Sequence, residues 1–299
     1  MLPHDPLAAL PGHLRAPLLG CACGERPPNI ALMQLVQAAS GRGELEATLQ
    51  QVTGAFAADT AEAGRLDAAR RLWAETPQAW ETLRSVLEVV GAEGLTSRSI
   101  DRWSAIFDRL AAISPAAGVA LYSLGRSDLL NAATIEIVER MREWGCLGPE
   151  RILLEIGCGS GRFLSPLARE ARLVVGTDIS LGMLQEARRA APSAALLHGS
   201  GRDLAAFRDT SIDTVYAVDV FPYLVMAGEE VALAHFTEAF RVLRPGGQFL
   251  VLNYSYRGDP AQDCADIGRH ADAVGFAILQ LGGGGLRHWD GQIFRLQKP

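Results

Sequence analysis

The residues best suited to chemistry gather in one short run, Glu155-Ile-Gly-Cys-Gly-Ser-Gly161. A glycine-rich turn directly after an apolar stretch lets the backbone come close to a ligand. A dinucleotide loop reads Gly-x-Gly-x-x-Gly; here Gly157, Gly159 and Gly161 alternate and position 162 is Arg. With Glu155 ahead of it, the tight spacing suits a nucleoside carrying an amino-acid tail better than a pyrophosphate. Asp178 follows a second apolar run, Leu173-Val-Val-Gly-Thr177. A carboxylate at that point can accept hydrogen bonds from both ribose hydroxyls, or it can cap a helix that starts near Leu181.

Further along, Asp219 and Tyr223 lie just beyond the strand-like run 213–218, and Asn253-Tyr-Ser-Tyr256-Arg257 follows another at 248–253. In open sheets, ligands bind at the carboxyl ends of such strands. Asp219 and Tyr223 are therefore candidates to act on a bound molecule, although Tyr223 can equally pack as core. Asn253, Tyr254 and Tyr256 are polar and uncharged, suited to positioning one. His288, in His288-Trp-Asp290, is a third candidate base. His198 and His235 read as structural.

Composition excludes several chemistries. Lys298 is the only lysine among 28 basic residues, so neither a Schiff base nor a P-loop has its lysine inside a site. The net charge of −6 and the lack of a basic run argue against nucleic acid as partner. Five scattered cysteines argue against a disulfide framework and for a reducing, cytoplasmic setting. Cys21-Ala-Cys23 would need two more metal ligands, and only His4 and His13 are near, so no metal is expected. The longest apolar runs fall short of the ~18–20 residues of a membrane helix, and no signal peptide is evident.

The elements that must position these residues fall into three stretches. Residues 1–28 are rich in Pro and Gly and read as a loosely ordered leader. From Asn29, expected to cap a helix, to residue 96 the chain is Ala- and Leu-rich with helical spacing. This defines an N-terminal helical domain over 1–96. Residues 97–147 stay helical, with Ser97 as a cap for a helix bearing Trp103, Ile106, Phe107 and Leu110, then Ser114-Pro115 and Gly125 as breaks. From Arg151 strands alternate with helices, including one expected over 162–170, which predicts a parallel sheet covered on both faces. Two final strands, 276–281 and 292–297, are joined by a Gly-rich loop, so the last is expected to run antiparallel.

Glu155–Gly161, Gly176-Thr-Asp178, Phe207…Ile212-Asp213-Thr-Val and Leu243-Arg-Pro-Gly-Gly247 together resemble the ordered motifs of class I S-adenosylmethionine (SAM)-dependent methyltransferases. The resemblance covers residues 148–299. It implies a Rossmann-like α/β fold, a seven-stranded, mostly parallel sheet with an antiparallel last strand, here preceded by an all-α region. It implies SAM as cofactor, with Gly157, Gly159 and Gly161 along the methionine portion and Glu155 facing its amino group or ordering the loop. Asp178 would take the ribose, and Ile179 and Met183 would flank the adenine. The family often places Gly-Asp after its third strand. Here Gly199-Ser200-Gly201-Arg202-Asp203 stands there, with Ser200 in the usual Asp position and Asp203, Gly201 or Arg202 as substitutes. Residues 97–147 resemble the helical lid of small-molecule members, with Tyr122 and the Trp103 helix folding over the cofactor opposite Tyr223 and Tyr254.

The expected function is methyl transfer to a small-molecule acceptor, at O or N rather than C, by in-line displacement. Asp219, Tyr223 and His288 are the candidate bases, and Tyr122, Asn253, Tyr254 and Tyr256 the candidate acceptor contacts. The segment Val218-Asp219-Val-Phe-Pro-Tyr223 lacks the spacing of the Asn/Asp-Pro-Pro-Tyr motif of amino-methylating nucleic-acid enzymes. Two alternatives stay open: a SAM-binding enzyme with another use of the cofactor, such as cyclisation, and a non-catalytic SAM-binding interaction protein. Residues 29–96 are expected to serve a homodimer or a protein partner.

Overall fold

A computed structural model describes residues 6–95 and 99–299; Ser97, expected as a helix cap, lies outside them. In chain order the helices before the sheet are α1 (Gly12–Cys23), α2 (Pro28–Ala38), α3 (Arg42–Gln51), α4 (Ala61–Ala74), α5 (Ala79–Leu95), α6 (Ile100–Ile113), α7 (Pro115–Val119) and α8 (Ser127–Glu143). The strands are β1 (Gly148–Ile156), β2 (Ala171–Asp178), β3 (Ala195–His198), β4 (Ile212–Val218), β5 (Leu243–Leu252), β6 (Ala277–Leu281) and β7 (Ile293–Gln297). Between them run α9 (Leu164–Leu167), α10 (Leu181–Ala190), α11 (Phe221–Ala227), α12 (Glu229–Val242) and α13 (Pro260–Val274). No helix among the described residues is long and apolar enough to cross a membrane.

The chain divides into two compact units. The helical unit comprises Met1–Glu88, Ala116–Ala133 and Leu286–Asp290, so it takes the middle of the 97–147 stretch and a piece of the final loop. Leu7, Leu10, Leu14, Leu18 and Cys21 recur at three- and four-residue spacing, and all are buried in its core. That stripe orders α1 within the expected loose leader, and Gly24, in the left-handed region at φ 79°, closes it. Asn29 is not a cap. Pro28 starts α2 one residue earlier, because a proline at the first helical position gives up no hydrogen bond. Asn29 is therefore buried inside the first turn, and its Nδ2 donates to the carbonyls of Tyr122 (3.0 Å) and His288 (3.3 Å).

The second unit comprises Val89–Pro115, Thr134–Gly285 and Gly291–Pro299. Its seven strands lie in the order β3-β2-β1-β4-β5-β7-β6. β1 to β5 pair in parallel, while β7 is antiparallel to both β5 and β6, as the terminal glycine loop predicts. Central β4 is almost wholly buried, the mark of a strand covered on both faces. Phe221, Phe236, Phe249 and Phe294 fill the layer beside β4 and β5. The order turns back between β1 and β4, which opens a crevice at their carboxyl ends.

Three helices differ from expectation. The helix expected over 162–170 shrinks to α9, where Pro166 removes a backbone donor. Two helices escaped notice, α11 and α13. Yet α13 carries an ordinary signature: Asp259 caps it by accepting from the Gln262 amide (3.0 Å), Pro260 opens it, and Gly275 ends it at φ 95°.

Candidate active site

β1 delivers its chain into the loop 157–161, where Gly157, Gly159 and Gly161 take φ values of 68°, 51° and 80°. L-residues rarely adopt that region, and a Cβ on Gly157 would also collide with Val220. The loop is pinned from β2: Asp178 Oδ2 accepts from the Gly159 amide and Oδ1 from the Ser180 amide, each at 2.8 Å. Asp178 thus serves as a clamp as well as a turn cap. Burial raises the pKa of this carboxyl, and the backbone donors act against that rise. Each carboxylate oxygen keeps further lone-pair capacity for a ligand hydroxyl.

Glu155 is fully enclosed, and Tyr216 Oη donates to its Oε2 at 3.1 Å. Burial pushes its pKa well above the usual carboxylate range. The Glu155 carboxylate thus meets Tyr216 of β4 in the interior of the sheet.

After β3, Ile179 and Ile100 occupy the space that a Cβ on Gly201 would need. Met183 is fully buried in the first turn of α10, with its amide donating to Ser180 Oγ at 3.0 Å. Ser200, Arg202 and Asp203 form a local turn: the Arg202 amide donates to Ser200 Oγ (3.1 Å) and Ser200 Oγ to Asp203 Oδ2 (3.4 Å). The Arg202 guanidinium pairs with Asp101 of α6 at 3.3 Å.

At the ends of β4 and β5, Asp219 (φ 58°) and Asn253 (φ 72°) both turn into the left-handed region, which Asp and Asn tolerate best. Asn253 Nδ2 donates to Asp219 Oδ1 at 3.1 Å, and Arg162 pairs with Asp219 Oδ2 at 3.2 Å. Both members of that ion pair have side chains only 7% exposed. Both carboxylate oxygens of Asp219 are thus engaged within the protein, one by Asn253 and the other by Arg162.

Tyr223, on α11, enters an aromatic cluster with Trp103 (ring centroids 4.5 Å apart), Phe107 (5.1 Å) and Tyr256 (5.9 Å). Desolvation pushes its phenol up to about 12, opposed by a hydrogen bond with Tyr256. Trp103 Nε1 is buried without a hydrogen-bond partner among the described residues. Arg257 ties the loop that carries Tyr256 to Asp263 (2.7 Å) and Asp266 of α13.

Other expected contacts lie elsewhere. Tyr254 is core: its ring stacks on Phe221, and its hydroxyl meets His270 Nε2 at 3.0 Å. The alternation of side chains along an extended segment turns Tyr254 inward and leaves Tyr256 exposed. Tyr254 therefore leaves the set of acceptor contacts. Tyr122 and His288 belong to the helical unit, where Tyr122 is buried and both backbone carbonyls accept from Asn29. Cys21 is buried, with its thiol pushed up to about 11, and Cys23 is exposed. No three His, Cys, Asp or Glu side chains among the described residues gather as metal ligands.

Residues 154–251 match the family described as a methyltransferase domain. These residues carry a methyltransferase domain. Over 116 residues the chain is 35% identical to a Mycolicibacterium smegmatis protein described as a probable S-adenosylmethionine-dependent methyltransferase, covering 39% of this chain and 42% of that one. Over 133 residues it is 32% identical to a demethylmenaquinone methyltransferase of Beutenbergia cavernae, covering 44% and 50%. The chain thus matches about half the length of these curated relatives or less. Among solved structures, the complex of the Haloferax volcanii Trm112 methyltransferase activator with a methyltransferase gives a TM-score of 0.50 at 18% identity, over 64% of this chain and 97% of that one. That likeness is one of fold.

Sequence reading missed Arg162 and Tyr216 in this methyltransferase domain and Asp108 on α6, which packs against it. Arg162 had a signal, a charged residue directly after three glycines. Tyr216 and Asp108 had none, since each meets its partner only through the fold.

Proposed function

We propose that the chain is a SAM-dependent methyltransferase whose acceptor is a small molecule methylated at oxygen or nitrogen. The observation that carries this reading is the pinned glycine loop. Gly157, Gly159 and Gly161 all take left-handed φ values, and Asp178 stands at the tip of β2 with lone pairs to spare. The donor set fits a nucleoside with a zwitterionic tail: Asp178 for the ribose, Arg162 for the tail's carboxylate, Asp219 for its ammonium. When bound, SAM supplies a sulfonium-activated methyl group for in-line displacement, leaving S-adenosylhomocysteine.

The protein's part is then alignment and exclusion of water. The 97–113 portion of the expected lid supplies Trp103 and Phe107, and Tyr223 and Tyr256 complete an aromatic wall fitted to a compact, flat acceptor. With its phenol pushed up to about 12, Tyr223 stays protonated at neutral pH and serves as a hydrogen-bond donor rather than a base. Asp219 is held by Arg162 and Asn253. An acceptor that arrives ionised, or as a free amine, needs no more than this.

Calorimetry with S-adenosylhomocysteine tests the cofactor half: saturable binding is expected, and none refutes it. Incubation with SAM and a panel of phenols, quinols and amines, followed by mass spectrometry, tests the reaction. Acceptor-dependent S-adenosylhomocysteine is expected. Methylthioadenosine would transfer the site to non-methyl chemistry, and cofactor binding with neither product would favour an interaction protein.

A further inference from the structure

α6 turns two adjacent faces toward two different walls of the site. Residues 100, 104, 108 and 111 fall on one stripe at 3.6 residues per turn, and 103 and 107 fall on the next. The first stripe meets the cofactor loops. Asp108 Oδ1 accepts from Ser180 Oγ (2.6 Å) and from the Gly182 amide (2.8 Å). Ser104 Oγ donates to the Ile179 carbonyl at 2.7 Å, and Ile100 reaches Gly201. Gly182 permits the approach, since a Cβ there would lie 3.3 Å from the Asp108 backbone and 3.2 Å from Ala111 Cβ. The second stripe, Trp103 and Phe107, packs on Tyr223.

We propose that Asp108 is a positioning residue that locks α6 to the loop after β2, so that cofactor binding sets the aromatic acceptor wall and the acceptor binds second. This rests on reading 157–161 and Asp178 as the cofactor site. The path is short and continuous. The Ser180 amide donates to Asp178 Oδ1, the Ser180 hydroxyl donates to Asp108, and Asp108 shares a rigid helix with Trp103 and Phe107. A ligand that engages Asp178 orders Ser180, Ser180 holds Asp108, and the aromatic face moves with the same helix. The partnerless indole N–H of Trp103 fits a wall awaiting a polar partner, because a buried donor is seldom left unmet in a finished core.

The link is tested with S-adenosylhomocysteine as probe on the full chain, by calorimetry and by hydrogen exchange. In the unaltered protein the probe is expected to protect amides of 100–113 and 221–227 together with those of 157–183. Asp108→Ala is expected to bind at least about fivefold more weakly and to lose the protection at 100–113 and 221–227 while keeping it in the loops. Asp108→Asn keeps an oxygen for both donors and is expected to restore affinity and protection, a rescue that loss of stability alone would not produce. If Asp108→Ala does not fold, Ser104→Ala removes only the bond to Ile179 and should shift both readouts in the same direction by less. Native affinity and protection in the Ala variants, with binding weakened by Asp178→Asn, would overturn the link alone. Native affinity in Asp178→Asn as well would overturn the cofactor site with it.

Discussion

Asp178→Asn separates the contacts that carboxylate makes within the protein from the ribose binding proposed for it. The native group accepts from Gly159 and Ser180 at 2.8 Å, one amide on each oxygen. The variant keeps one oxygen, so one buried amide faces an NH2 group and goes unmet, at about 1–3 kcal/mol. Removal of a charge that burial disfavours offsets part of this. A domain with ~5–15 kcal/mol of stability survives such a loss. Toward ribose, two charge-assisted bonds of ~1.5–3 kcal/mol each become neutral ones of ~0.5–1.5. The difference, about 2 kcal/mol, predicts at least roughly a tenfold weaker complex. Urea unfolding with and without S-adenosylhomocysteine reads both terms. At a concentration 100 times the native dissociation constant the ligand stabilises the native protein by about 2.7 kcal/mol; a tenfold weaker variant gains only about 1.4 at the same concentration. An unchanged ligand increment would remove Asp178 from the site, and unchanged stability without ligand would refute its role as the loop's clamp.

Glu155→Gln is expected to be more stable than the native protein at neutral pH. The folded pKa of Glu155 is raised, so its contribution is complete below the unfolded value near 4.5 and is lost as pH rises through the folded value. Urea midpoints of the two proteins should therefore diverge from acid to neutral pH, and parallel curves would show that Glu155 does not titrate as its burial requires. Gly159→Val places a β-branched residue at φ 51°, at a cost of about 1–3 kcal/mol, and should abolish S-adenosylhomocysteine binding; normal binding by calorimetry would refute the loop assignment. Arg162→Met leaves Asp219 buried without its guanidinium and should cost ~3–5 kcal/mol by chemical denaturation, whereas a loss under about 1 kcal/mol would mean the pair behaves as an exposed one.

What the sequence alone determined is whatever depends on neighbours along the chain. Alternating apolar runs and helical stripes are local periodicities, so the parallel sheet and its reversed last strand were legible, while α11 and α13 were not. The glycine loop was legible because glycine's freedom is intrinsic to the residue. Asp178 stood out as a carboxylate at a strand tip, and the structure has it accept from the amides of Gly159 and Ser180. The tertiary structure decided what depends on partners far away in the chain. It committed Asp219 to Arg162 and Asn253, and it turned Tyr254 toward His270 while leaving Tyr256 at Tyr223. It drew Asn29 to the carbonyls of Tyr122 and His288, and it set Asp108 against Ser180 across 72 residues. In each case a polar group leaving water must find whichever partner the packed chain brings within about 3 Å, and no pattern along the sequence encodes that meeting.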